Sequence, residues 1–162
     1  MNPDALEYLR RNSGLSLDSD GVFYSMGQKV PNDRVQQLFH DGISVLDSGD
    51  VTLTLGKVWA YVEPRTVARF VTAVKRDEAS LEISMINGVC SKVTNPRVGM
   101  GPDNRFYLWE HENMHPAILL RRAHHELAEL LEERDGDIGF VLGKNWVLVE
   151  ELSRSPGPAD LP

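Results

Sequence analysis

Leu55-Gly56-Lys57-Val58-Trp59-Ala60-Tyr61-Val62-Glu63 and Leu142-Gly143-Lys144-Asn145-Trp146-Val147-Leu148-Val149-Glu150 agree at six of nine positions, and each sets a Gly-Lys pair between β-prone runs. A two-residue loop with glycine at its first central position closes an antiparallel hairpin with the right twist, because glycine takes the positive φ needed there without strain. Such a loop also sets register. In the first copy Leu55 faces Val58, Leu53 faces Ala60 and Val51 faces Val62, so one side of the ribbon is apolar. Thr54 with Trp59 and Thr52 with Tyr61 take the other side. In the second copy Leu142/Asn145, Phe140/Val147 and Ile138/Val149 share a side, and Trp146 falls opposite, beside Val141. The Gly-Lys pair is thereby explained by turn geometry rather than by phosphate binding.

A second match stands in phase with the first: Phe23-Tyr24 precedes one hairpin and Phe106-Tyr107 the other. In each copy a polar stretch follows, then Pro31 or Pro116, and proline suits a helix start because its missing N–H would be unpaired there anyway. The spacing predicts a helix after each. Val35, Leu38, Phe39, Gly42 and Leu46 recur at helical intervals, with Asn32 or Asp33 as cap and Ser48-Gly49-Asp50 as the stop. Leu120, Ala123, Leu127, Leu130 and Leu131 make the second stripe, with Arg122 and Glu126 one turn apart outside it. The chain therefore reads as α+β, built from two similar strand-helix-hairpin halves, about residues 15–65 and 66–152. Mainly antiparallel sheet and one helix packed on each half are expected.

Between the copies, Thr66 to Lys75 alternates β-branched and aromatic residues and reads as a strand. Ile86-Asn87-Gly88-Val89 is a strong hairpin signal, joining Leu81–Ile86 with Val89–Thr94 and placing Cys90 opposite Met85, on the apolar side with Leu81 and Ile83. Residues 95–104, rich in Gly and Pro, read as loop. Pro3 to Arg10 reads as a short amphipathic helix, and Ser153 to Pro162 as a disordered tail for want of apolar content.

A chain of 162 residues can bury about 70% of its unfolded surface in one core. Neither half alone is long enough for that, so residues 1–152 are expected to form a single compact domain. Hydrophobic residues at 41% and charged residues at 25% exclude fibrous, disulfide-rich and wholly disordered classes. No apolar run approaches the ~18 residues of a membrane-spanning helix. The opening Met1-Asn2-Pro3-Asp4 lacks the basic-then-apolar pattern of a secretory signal. A net charge of −7 without a basic cluster argues against nucleic acid and anionic membranes as partners. The single cysteine, Cys90, excludes an internal disulfide and suits the cytoplasm.

His111-Glu112-Asn113-Met114-His115 spells the H-E-x-x-H of zinc peptidases, which need both histidines one turn apart on a regular helix and the Glu beside the metal-bound water. Pro116 disfavours helical geometry at His115, and the matching stretch of the first copy, Ser25 to Val30, has no histidine. The preferred reading is a solvated connection, with a zinc hydrolase using His111 and His115 as the alternative; Glu126, Glu129 or Glu132 would have to supply a third ligand. His124 and His125 border the second helical stripe and His40 has no partner nearby in sequence, so packing or surface roles are expected for all three. Cys90 is expected to be a small core hydrophobe. Gly99-Met100-Gly101-Pro102 lacks a nucleotide loop's third glycine, and Lys75-Arg76-Asp77-Glu78 is a balanced, solvated charge run.

The off-face aromatics Trp59, Tyr61 and Trp146, with Trp109 in the strand after the Gly-rich loop, remain as binding candidates. Either they pack against neighbouring elements or they form an exposed platform for a partner. With no coherent nucleophile, acid/base pair or cofactor motif, the expected function is a non-enzymatic cytoplasmic module that needs no cofactor. It would recognise a protein or small-molecule ligand through the cleft between halves or through these aromatic faces. An acidic, chaperone-like homodimer fits the size and charge as a further alternative.

Gly21-Val22-Phe23-Tyr24-Ser25-Met26-Gly27, the hairpin ending Ala60-Tyr61-Val62-Glu63, the central Asn-Gly hairpin and the segment Leu119 to Leu127 together resemble the bacterial family catalogued as domain of unknown function 1285, over about residues 15–150. Two stretches depart from that family's pattern, Gly27-Gln28-Lys29-Val30-Pro31 before the first helix and Glu63-Pro64-Arg65-Thr66 after the first hairpin. The resemblance implies an α+β fold with repeated structural motifs and a place in signal transduction. It implies no catalytic residues.

Overall fold

A computed structural model describes residues 2–162 of the chain. Helix α1 (Pro3–Arg11) is followed by β1 (Leu15–Leu17), β2 (Phe23–Ser25), β3 (Gln28–Lys29), α2 (Asp33–Gly42), β4 (Ile43–Val45), β5 (Val51–Leu55) and β6 (Val58–Pro64). Then come β7 (Arg69–Asp77), β8 (Ser80–Met85), β9 (Cys90–Val93), β10 (Arg97–Met100), β11 (Phe106–Trp109) and β12 (Ala117–Leu119). Helix α3 (Arg121–Ala128) leads into β13 (Glu132–Arg134), β14 (Asp137–Leu142) and β15 (Asn145–Glu151). The α+β reading holds.

Two sheets carry the fold, one of six strands in the order β3-β2-β1-β6-β5-β4 and one of nine in the order β13-β14-β15-β10-β11-β12-β7-β8-β9. Within the larger sheet β12-β11-β10-β15-β14-β13 repeats the strand order of the smaller one, and in both places the first and last strands of the set pair in parallel. The only other parallel pair among the described residues is β7 with β12. Both Gly-Lys hairpins adopt the expected geometry. Gly56 and Gly143 each have φ +61°, and the registers Leu55↔Val58, Leu53↔Ala60, Val51↔Val62 and Phe140↔Val147, Leu142↔Asn145 are those the loop chemistry predicts.

Helix α2 starts where its cap directs, with Asn32 Oδ1 accepting from the Arg34 N–H at 2.8 Å. It ends earlier than its apolar spacing predicts. Ile43 is already extended, and Ile43–Val45 pair with Val51–Leu53 as β4, so Leu46 lies beyond the helix. Two β-branched residues beside an open sheet edge outweigh one more helical turn. The inward face of α2 runs through Gln36, Phe39 and His40, and Leu38 points to solvent.

Pro116 does not open a helix. Ala117, Ile118 and Leu119 are wholly buried as β12, between β11 and β7, and α3 begins only at Arg121. A strand buried on both faces carries no polar alternation, which is why periodicity missed it. Residues 97–100 likewise form strand β10 in the middle of the large sheet, although their glycines read as loop. Gly99 is there because Leu152 packs where its side chain would stand, within 2.6 Å of a Cβ.

The Asn-Gly hairpin closes with three residues. Met85 N–H donates to Val89 O at 2.8 Å, and Gly88 takes φ +89° after the turn. The extra residue slips the register by one, pairing Cys90 with Ser84 and turning its thiol out to solvent, so Cys90 is not a core residue.

Alternation along the large sheet separates two cores. Val71, Leu108, Ala117 and Leu119 face α3 with Ala123 and Leu127, whereas Phe70, Tyr107, Trp109 and Ile118 face the six-stranded sheet, meeting Leu17, Phe23, Val51, Leu53 and Val62. The second cluster is the seam between sheets. Arg105 clamps one end of it, donating to Asp20 Oδ1 at 2.9 Å, Ser19 O at 3.1 Å and Leu119 O at 3.3 Å.

The segment from Ser153 onward is laid against the seam rather than disordered. Trp109 Nε1–H donates to Asp160 O at 2.8 Å, Asp160 Oδ2 accepts from the Gly157 N–H at 2.6 Å, and Pro156 is buried. A buried indole N–H needs an acceptor, and the prolines reduce the entropy lost in supplying one. Trp109→Phe is therefore expected to cost about 1–2 kcal/mol and to raise amide exchange across residues 153–162 while leaving exchange in β10 and β11 unchanged. Unaltered exchange in that segment would show that another contact holds it.

Candidate functional site

The four aromatic candidates occupy three separate places. On β6, Trp59 and Tyr61 meet edge to face with ring centroids 5.2 Å apart. Helix α1 seats itself on them, with the Arg10 guanidinium 3.9 Å above the Trp59 ring and that of Arg11 3.6 Å above Tyr61. Arg11 is held from its other side by Asp50 at 2.9 Å. These rings form the seat of α1, through cation–π contacts suited to half-buried positions. Trp109 is buried in the seam. Trp146 lies on β15 under Arg134, 4.5 Å from its ring, and occupies the space that the missing side chain of Gly139 leaves, where a Cβ would come within 2.6 Å of the indole. No common aromatic platform exists.

His111 to His115 form a turn after β11, with Met114 N–H donating to His111 O at 3.1 Å. The helix that a zinc site requires is absent, and the two histidines face different places. His111 borders an open cleft of ≈610 Å³ with Arg97 and Trp146, whereas His115 Nε2 lies 3.5 Å from Asp47 Oδ1 across the seam. Glu126, a proposed third ligand, accepts instead from the Val74 N–H at 3.3 Å and pairs with Arg122. Among the described residues no three metal-ligating side chains converge.

What the fold does assemble is a smaller cleft of ≈240 Å³ at the seam, between α2 and β4 on one side and β7 with the β8–β9 turn on the other. Its lining is mixed: Ile43, Val45, Ile86 and Val89 are aliphatic, and Arg69, Asn87 and His115 are polar. His40 is part of that lining. The ring is only 6% exposed and sits between Phe23 and Phe70 at centroid distances of 4.7 and 5.5 Å, while Nε2 lies 2.6 Å from Gly21 O. A carbonyl only accepts, so Nε2 carries the hydrogen and Nδ1 presents its lone pair. Burial among aromatic rings lowers the His40 pKa below its usual value, holding the imidazole neutral. No buried side-chain nitrogen or oxygen among the described residues lacks a partner. Nδ1, which has none, must therefore reach open space, and the space beside it is the cleft.

Arg69 stands at the rim but is not a free cation. It pairs with Glu110 and donates to His115 O at 2.7 Å. The Gln37 side-chain amide, donating to Ile86 O at 2.9 Å, ties α2 to the β8–β9 turn on the far side. His40, Arg69 and Asn87 thus bring polar groups to the cleft from both sides of the seam. The sequence left His40 without a partner because its partners, Gly21 and Phe70, are remote along the chain. One local signal existed: Gln36, Phe39, His40 and Ile43 lie three, four and seven residues apart, an inward stripe with two polar members.

A histidine whose folded pKa is depressed binds fewer protons when folded than when unfolded, so its stabilising effect is present above the unfolded pKa and is lost as pH falls below about 6.5. His124, also depressed by burial and by His125, contributes in the same direction. Urea midpoints are expected to fall from pH 7 to pH 5, and less steeply in His40→Gln than in the parent. Equal slopes would remove His40 from the titration.

No protein-family model matches the sequence, and no curated protein matches it. Two solved structures do match the fold. A DUF1285 family protein from Silicibacter pomeroyi superposes with a TM-score of 0.65 at 14% identity, covering 85% of this chain and 79% of that one. A DUF1285 family protein from Shewanella baltica superposes with a TM-score of 0.51 at 15% identity, covering 72% of this chain and 91% of that one. Likeness at this identity is a likeness of backbone arrangement, and in that arrangement the chain resembles the DUF1285 family.

Proposed function

We propose that the protein is a non-enzymatic binding and regulatory module whose ligand enters the cleft between the two sheets. The reading rests on one observation: a buried histidine, held in a single tautomer by Gly21, lines a cleft between the sheets with its other nitrogen unpartnered. Evolution of a core for stability alone favours filling such a space and pairing such an atom. The cleft is built from both sheets, so an occupant touches α2, β4, β7 and the β8–β9 turn together and would bias how the sheets meet. That is the property a signal-transduction module needs. An action in the cytoplasm suits the exposed, unpaired Cys90, which a reducing compartment keeps as a thiol.

The test is native mass spectrometry of the protein purified from its host, beside Val45→Phe, which fills the cleft from its half-exposed wall. A small molecule carried by the parent and lost from the variant supports the reading. A parent that carries nothing, gains no thermal stability from a metabolite extract and turns over a substrate overturns it.

A further inference from the structure

Resting on the reading of this cleft as a ligand site, we infer that its ligand is a small, uncharged molecule with an apolar, single-ring-sized body and one O–H or N–H group, which donates to His40 Nδ1. Three observations restrict the class. His40 offers the cleft an acceptor and no donor, because its Nε2 hydrogen is engaged by Gly21 O. The part-exposed side chains of Ile43, Val45 and Ile86, with exposed Val89, give the body of a ligand an aliphatic surface to pack on. The one arginine or lysine in the lining, Arg69, is already paired with Glu110, so a ligand carboxylate or phosphate would be desolvated without a free cation to receive it. The size follows from the volume: ≈240 Å³ lies below the ~300 Å³ at which pockets begin to hold drug-sized molecules. A donor group on the ligand meets the lone pair that the protein leaves unpartnered. A lone pair there discriminates by about one neutral hydrogen bond, since an analogue lacking the donor leaves it unpaired.

Phenol, toluene and benzoate separate the possibilities on the full-length native protein. Titration followed by nuclear magnetic resonance is expected to show phenol binding about five- to tenfold more tightly than toluene, the ratio of one neutral hydrogen bond. Benzoate is expected to bind most weakly. The Nδ1 resonance of ¹⁵N-labelled His40 should shift with phenol and not with toluene, a readout that needs no substitution. In His40→Phe the phenol-to-toluene preference should vanish while toluene binding persists. Equal affinities for phenol and toluene, or tightest binding of benzoate, would overturn the ligand class and leave the cleft as a binding site. No binding of any of the three would overturn both.

Discussion

Phe70→Ala is expected to lower unfolding free energy by about 3–5 kcal/mol, the range for removing a fully buried aromatic ring from a packed core. Phe70 is wholly buried at the point where the two sheets meet, beside the His40 ring and against Gly21, whose Cβ position lies 3.4 Å from the Phe70 ring. Two features set the cost at the upper end. The neighbours are β-strand and aromatic side chains that cannot collapse inward without disturbing the seam, and the void would merge with the cleft already present. The backbone of the site should survive, since Phe70 O still accepts from the Ile86 N–H at 2.9 Å. Urea unfolding measures the change: a lower midpoint with an unchanged slope is the expected result. A loss below about 1.5 kcal/mol, nearer that of volume-conserving swaps, would mean that the seam repacks readily.

Gly42→Ala carries a sign that sequence and structure assign oppositely. Gly42 is the last residue of α2, and in an exposed helix interior alanine is more stable than glycine by about 0.5–1 kcal/mol. Here the added methyl would stand far inside van der Waals contact with the carbonyl oxygen of Thr54, and 3.1 Å from Leu53 Cδ1. A carbonyl within the paired length of β5 cannot move aside as a flexible side chain can. Overpacking of this kind costs about 1–3 kcal/mol, which exceeds the propensity gain. Thermal unfolding should therefore show a lower midpoint for Gly42→Ala; a raised midpoint would show that α2 does not press on β5 as described.

Local chemistry was the legible part of this chain. The Gly-Lys hairpins, the cap at Asn32, the strand from 69 and the helix at the N-terminus each follow from a few neighbouring residues whose geometry is self-contained. The errors share a cause. Residues 97–100 and 117–119 are strands because partners far along the chain pair with them, and Leu46 leaves the helical stripe because β5 offers an edge to Ile43–Val45. Cys90 moved to the solvent face through a single extra loop residue, a slip that turn propensity alone does not resolve.

The candidate site was less legible than the fold. Trp59, Tyr61, Trp109 and Trp146 drew attention by their size, and the structure gives each an ordinary partner: an arginine over three of the rings and a carbonyl for the indole N–H of the fourth. His111 and His115 spelled a metal motif without the helix that gives the spelling meaning. His40, which had looked unremarkable, holds the most constrained polar position at the seam.

Taken by itself, the sequence determined the α+β class, both Gly-Lys hairpins with their register, and the start of α2, because each depends on backbone preferences and side-chain alternation within about ten residues. Only the tertiary structure decided the order of the strands, the docking of α1 and of the C-terminal segment, and the existence of a cleft lined by His40. Those depend on which surfaces meet across the seam, where Phe70 and His40 come together although they are thirty positions apart in the chain, and such meetings are selected by the burial of whole faces rather than by any local pattern.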